Sequence, residues 1–158
     1  MQWHLRRVLK WRGYIKMNPF EQTERCVERL YKEWEKHPKL AVFVDFDDSL
    51  FNFHQYPDVS YERITNLLRE CKRLNFFVVC FTASPVSRYD FIREHFKSVI
   101  GVDIDGINEN VIDSPYGKNG KFFYNILLCD RAGLGQATDI LESLILKIQN
   151  RTNTLTTK

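Results

Sequence analysis

Three aspartates, Asp45, Asp47 and Asp48, stand within four positions at the end of the apolar run 40–46. Carboxylates this close repel one another unless a hard cation or hydrogen bonds offset their charge. A buried strand that runs straight into such a cluster points to a cation site rather than to a solvated acidic turn. Two further apolar runs end in polar residues of the right kind. The run 76–81 ends at Thr82-Ala83-Ser84-Pro85, which offers hydroxyls and the backbone N–H groups of a following helix start to an anion. The run 122–129 ends at Asp130-Arg131, and Lys118 and Lys121 precede it. A lysine there neutralises a phosphoryl group, or is simply a surface charge. Ser84 caps a helix, and Arg131 pairs with Asp130, in the readings that need no site. Taken together, these ends describe a pocket for an acid, a metal and a phosphate.

The elements that must position these residues follow from the pattern. The recurrence of Thr23, Val27, Leu30, Tyr31 and Trp34 at three- and four-residue spacing predicts a helix over 20–37, closed by Pro38. Strand 40–46 follows, then a loop at 51–59 rich in aromatics, and a helix over 61–74 with Ile64, Leu67, Leu68, Cys71 and Leu74 on its apolar stripe. Strand 76–81 leads to a helix over about 86–96 that is expected to bury Phe91, Ile92 and Phe96. A short strand at 99–104, a loop at 105–120, a strand at 122–129 and a helix at 137–148 complete the order, and the polar tail after 149 is expected to fray. Apolar strands alternating with amphipathic helices argue an α/β fold, a three-layer α/β/α sandwich with a mainly parallel sheet. In such folds ligands sit beyond the carboxyl ends of the strands, where Asp45, Asp47, Thr82 and Asp130 fall.

Composition narrows the classes. The 158 residues are 27% charged and 44% apolar, with 7 Gly and 5 Pro, which suits one folded domain and excludes a disordered or collagenous chain. No run approaches the roughly 20 apolar residues of a membrane span, and no signal peptide is evident. Cys26, Cys71, Cys80 and Cys129 lack metal-like spacing and read as free thiols of a reducing, cytoplasmic setting. The formal net charge is +3, yet residues 1–17 hold Arg6, Arg7, Lys10, Arg12 and Lys16 without an acid, so the remainder is net negative. This basic arm also carries Trp3, Trp11 and Tyr14, which suits contact with a nucleic acid or another anionic surface as well as a solvated terminus. The domain proper is expected over 18–149, with its core at 40–148 and a polar tail at 150–158.

The segment VFVDFDDSLF at 42–51 resembles the first motif of the haloacid-dehalogenase-like (HAD) hydrolase superfamily, an apolar strand ending in DxDx(T/S), here Asp45, Asp47 and Ser49. FFVVCFT at 76–82 resembles the second motif, with Thr82 in position. KFFYNILLCDRAG at 121–133 resembles the third and fourth, with Lys121 favoured over Lys118 as the lysine and Asp130 as the closing acid. The resemblance covers about 40–146. It implies a Rossmann-like core and a Mg2+-dependent phosphatase, with Asp45 as nucleophile and Asp47 as general acid. Mg2+ would be held by Asp45, the Asp47 main chain and Asp130, and Thr82 and Lys121 would bind the phosphoryl oxygens. Cys129 departs from the pattern, since relatives often carry an aspartate there. Only 36 residues lie between Asp45 and Thr82 and 38 between Thr82 and Lys121, too few for a separate cap domain. An open site suits a phosphorylated small molecule such as a nucleotide, or a nucleic-acid end, with Phe51, Phe53, His54 and Tyr56 available to stack on a base. The alternatives are a catalytically impaired binding protein on the same fold and a nucleic-acid-binding accessory protein that uses the arm.

Overall fold

The computed structural model describes residues 18–113 and 120–156; the basic arm at 1–17, Lys118 and the last two residues lie outside this description. A 3-10 turn at Pro19–Glu21, capped by the Asn18 side chain, leads into α1, Thr23–Lys36, which buries Cys26, Val27 and Leu30. The helices that follow are α2, Glu62–Arg73, α3, Tyr89–His95, and α4, Leu134–Thr156. Among the described residues, the strands are β1, Ala41–Val44, β2, Phe77–Cys80, β3, Gly106–Ile107, and β4, Ile126–Leu128. They form one all-parallel sheet in the order β3-β2-β1-β4, so β1 lies inside it and the chain doubles back between β3 and β4.

Side chains alternate between the two faces of the sheet, as the twofold repeat of a strand requires. Val42, Val44, Val78, Cys80, Ile126 and Leu128 meet the apolar sides of all four helices in one core. Ala41, Phe43 and Val79 point the other way, against Val111, Ile112 and Phe122 of the long crossover from β3 to β4. The second face is therefore covered, among the described residues, by irregular chain carrying aromatics rather than by a helix. Phe122 lies 6.2 Å from the Phe43 ring and 5.6 Å from the Phe81 ring. The α/β expectation with a parallel sheet agrees with this architecture.

Several local expectations need correction. No strand forms at 99–104, because α3 runs on through a π-type turn at Phe96–Ile100. Gly101 then takes a left-handed conformation, φ 73°, and the Val102 amide returns to the Phe96 carbonyl, a Schellman-type stop. The third strand lies a few residues later, in what reads as loop, and Asp105 registers it: its amide donates to the Val78 carbonyl while its carboxylate accepts from the Val78 amide and from Lys72. The last strand is shorter than 122–129, spanning Ile126–Leu128, and Phe122 packs on the second face ahead of it. The tail does not fray at 149 but stays helical to Thr156, where Arg151 pairs with Glu35 and Tyr31 of α1. Phe91 is 47% exposed rather than buried and offers its ring to Phe46 and Phe51 at the core's edge.

One side chain joins the sheet to the first helix. Asn125 Oδ1 accepts the amide of fully buried Ala41 at 2.7 Å, and its Nδ2 donates to Glu33 at 2.8 Å. Asn125→Ala strands that amide without a partner, which costs about 1–3 kcal/mol. Urea denaturation of the variant should show a lower midpoint with an unchanged slope.

Candidate active site

Register builds the site. Val44 pairs with Cys80 on one side and Leu128 on the other, so the three strands end in one row. Two bonds carry the alignment one residue further: the Asp45 amide donates to the Leu128 carbonyl, and the Phe81 amide to the Val44 carbonyl, both at 2.8 Å. Asp45, Phe81 and Cys129 are neighbours for that reason, with Asp47, Thr82 and Asp130 just beyond. These residues, with Asp48, Phe53, His54, Ala83 and Arg131, line a cavity of about 460 Å3.

Within it, Asp45, Cys129 and Asp130 place one ligand atom each within 4.8 Å of one another. Asp45 Oδ1 accepts the Phe46 amide at 2.8 Å, and the Cys129 thiol donates to Asp45 Oδ2 at 3.5 Å. Burial raises the Asp45 pKa above the ordinary carboxylate value, and neighbouring Asp130 adds to the rise against the Phe46 and Cys129 hydrogen bonds. Burial likewise raises the Cys129 thiol, with both aspartates contributing, so sulfur here is a protonated donor. Asp130 is held from behind by Ser49, a fully buried serine whose Oγ accepts the Asp130 amide at 3.0 Å. Among the described residues the buried Tyr61 hydroxyl has no hydrogen-bond partner, and its pKa is raised by burial and by the charges of Asp48, Tyr56 and Asp130. Two neighbouring carboxylates are an environment that a hydrated cation satisfies. Two carboxylates suit Mg2+, whereas the thiol does not, since Mg2+ prefers oxygen.

The other aspartates diverge. Asp48 adopts a left-handed φ of 57° and turns into the flap at 51–59, where it accepts the His54 amide at 3.1 Å and binds the His54 ring. Burial works against ionised Asp48, but the hydrogen bonds from His54 outweigh it and lower its pKa. The Asp47 carboxylate is gripped by Arg88, with Nη1 to Oδ2 at 2.9 Å and Nη2 to Oδ1 at 3.0 Å. Thr82 is fixed by Asn108, which accepts its amide at 2.8 Å and donates to its carbonyl at 2.7 Å. Thr82 Oγ1 accepts the Ser84 amide at 3.0 Å, leaving the hydroxyl proton free to serve an anion.

Asp45, Asp47, Thr82 and Asp130 thus line one cavity, with Asp45 and Asp130 close together and the Asp47 carboxylate turned to Arg88. Lys121 does not line this cavity: it is exposed and borders a neighbouring one with Phe122, Phe123 and Tyr124. Among the described residues, Arg131 lines the cavity instead, its side chain 85% exposed and 4.0 Å from Asp130. Phe51 stacks on Phe46 at 5.4 Å and belongs to the core edge, while Phe53 and Tyr56 remain exposed. Arg88 and Asn108 are absent from the sequence reading. Arg88 carried one usable signal, a cation at a helix N-terminus, where the dipole disfavours positive charge unless a local anion compensates. Asn108 carried none beyond its tolerance for left-handed backbone, φ 51°.

Neither a protein-family model, a curated protein nor a solved structure matches this chain.

The Asp45 shift has a stability consequence. Folded protein keeps a proton on Asp45 at pH values where the unfolded chain has released it, so raising the pH through that interval subtracts stability. The loss is complete above the raised folded-state value. Asp45→Asn should accordingly raise the melting temperature at neutral pH in chelator, and the gain should vanish as pH falls below about 3.9, the unfolded value. Thermal denaturation of both proteins across the acid range checks this.

Proposed function

We propose that this protein is a Mg2+-dependent phosphomonoester hydrolase of the HAD-like type, a capless Rossmann-like core working through an aspartyl phosphate. The expected α/β/α sandwich has helices on both faces of the sheet, whereas among the described residues the irregular crossover covers the second face. The supporting observation is that Asp45 and Asp130 bring their carboxylates together beside Thr82 in one cavity at the strand ends.

Asp45 attacks phosphorus, forming an acyl phosphate as the ester P–O bond breaks, and the leaving oxygen takes that electron pair and a proton from Asp47, which takes that proton up from solvent as an oxygen is released from the Arg88 and Ser84 bonds. Water then attacks the same phosphorus, giving its proton to the Asp47 carboxylate, and the bond to Asp45 breaks to release inorganic phosphate. Thr82 donates its hydroxyl to a phosphoryl oxygen, and Arg131 at the mouth attracts the substrate anion. Asp45, Asp130 and the Asp47 main-chain carbonyl would hold Mg2+, which offsets the repulsion between a carboxylate and a phosphate dianion. Phe53 and Phe81 on the walls favour a planar group beside the phosphate, as in a nucleotide or a nucleic-acid end, and the basic arm at 1–17 suits the longer polyanion.

A screen of nucleoside monophosphates, 3′-phosphorylated DNA, sugar phosphates and phosphopeptides should find Mg2+-dependent phosphate release that Asp45→Asn abolishes. Release that persists at the normal rate in Asp45→Asn overturns the mechanism.

Cys129 favours one second reading, a binding protein with impaired turnover, because its sulfur stands 3.5 Å from Asp45 where an oxygen would serve the cation better. Cys129→Asp should tighten Mg2+ binding by about 10–100-fold. Calorimetric titration together with turnover separates the readings: a large gain in rate marks an impaired site, and unchanged affinity marks a packed strand residue.

A further inference from the structure

We propose that Arg88 is a positioning residue that couples the 51–59 flap to the orientation of Asp47. This rests on the phosphatase reading for its effect on turnover, but the coupling itself stands on geometry. Arg88 ends a 3-10 turn at Val86–Arg88 that leads from the strand-β2 end into α3. Its guanidinium engages both oxygens of Asp47 and also donates to Ser84 Oγ at 2.7 Å. Ser84 Oγ in turn donates to Asp47 Oδ2 at 3.2 Å, so two side chains lock one carboxylate through three hydrogen bonds. A bidentate guanidinium fixes the carboxylate plane in a way a lysine ammonium does not.

The same guanidinium carbon lies 5.5 Å from the ring centre of Phe53, 5.9 Å from that of Phe46 and 6.0 Å from that of Phe91. Phe46 and Phe91 belong to the core edge, whereas Phe53 belongs to the flap and is 51% exposed. Asp47 and Phe53 line the cavity and Arg88 does not. The cation therefore stands behind the wall and holds two of its faces at once, the acid and the flap aromatic. A group that lifts or presses Phe53 on entering the cavity shifts the seat of the guanidinium, which frees one Asp47 oxygen to take a proton while the remaining bond sets the direction in which it faces the leaving oxygen. Arg88 also occupies a helix N-terminus, where its charge is unfavourable without Asp47.

General acid assistance matters for a poor leaving group and little for a good one, which gives a readout that mere structural damage does not reproduce. Arg88→Gln and Arg88→Lys should lower kcat for an alkyl phosphomonoester by about 100-fold, with KM changed much less. The same variants should lose far less on p-nitrophenyl phosphate, whose leaving group departs without a proton, and Asp47→Asn should show the same split. Independently of turnover, hydrogen exchange in Arg88→Gln should quicken at the Phe53 and His54 amides, whose bonds to Phe51 and Asp48 seat the flap. Equal losses on both esters overturn the positioning role, and unchanged flap exchange overturns the coupling. Wild-type protein inert toward every ester brings down the phosphatase reading instead, and the exchange result alone then decides whether Arg88 ties the flap to Asp47.

Discussion

The alignment of β1 between β2 and β4 is the constraint on which the rest of the molecule depends. Val44, Cys80 and Leu128 stand side by side, so whatever follows each of them is delivered to one row about 4.8 Å from its neighbour. A slip of one residue in either pairing would turn the following side chain to the opposite face of the sheet. The burial of Val42, Val44, Val78, Cys80, Ile126 and Leu128 under the helices resists that slip, because it would expose an entire apolar row. Core packing and the candidate chemistry are thus set by one register.

What this register assembles is electrostatically costly. It places Asp45 and Asp130 together in a partly buried cleft, and the carboxyl of Asp45 responds by holding its proton more tightly. The remaining acids are each relieved in a different way: Asp47 by a guanidinium, Asp48 by a histidine on the flap. Among the described residues, the cation paired with the Asp45–Asp130 cluster is Arg131, 4.0 Å from Asp130 and mostly solvated. In the proposed function a divalent cation is the partner of this pair, and the phosphoryl chemistry draws on the same excess of negative charge. Cys129 softens the problem by substituting a thiol donor where another carboxylate would add to the repulsion.

The helices buried on one face were legible from spacing, because a side chain's place on a helix depends only on its own position in the chain. The strands were legible for the same reason, as apolar runs of the right length, and Asp45, Asp47, Thr82 and Asp130 came with them as the polar residues at their ends. The errors fall where a distant partner decides. The 99–104 segment has strand-forming residues, yet the chain spends them on a π-type turn stopped at Gly101 and stabilised by Arg69, which donates to the Ile100 carbonyl. The C-terminal residues look too polar to hold a helix, and hold one where Arg151 reaches α1.

From the sequence alone came the parallel α/β plan and the identity of the acids at the strand ends, since both follow from local periodicity and from the rule that ligands gather at carboxyl ends. The tertiary structure decided how those acids divide their work. Asp45 and Asp130 converge, Asp47 turns to Arg88 and Asp48 to His54, and Lys121 lies against a different cavity. Charge pairing acts through space, so Asp47 finds its partner 41 residues along the chain and Asp45 meets a segment 84 residues along it, whereas Asp48 finds His54 six residues away. No pattern of neighbours along the chain encodes the two longer contacts.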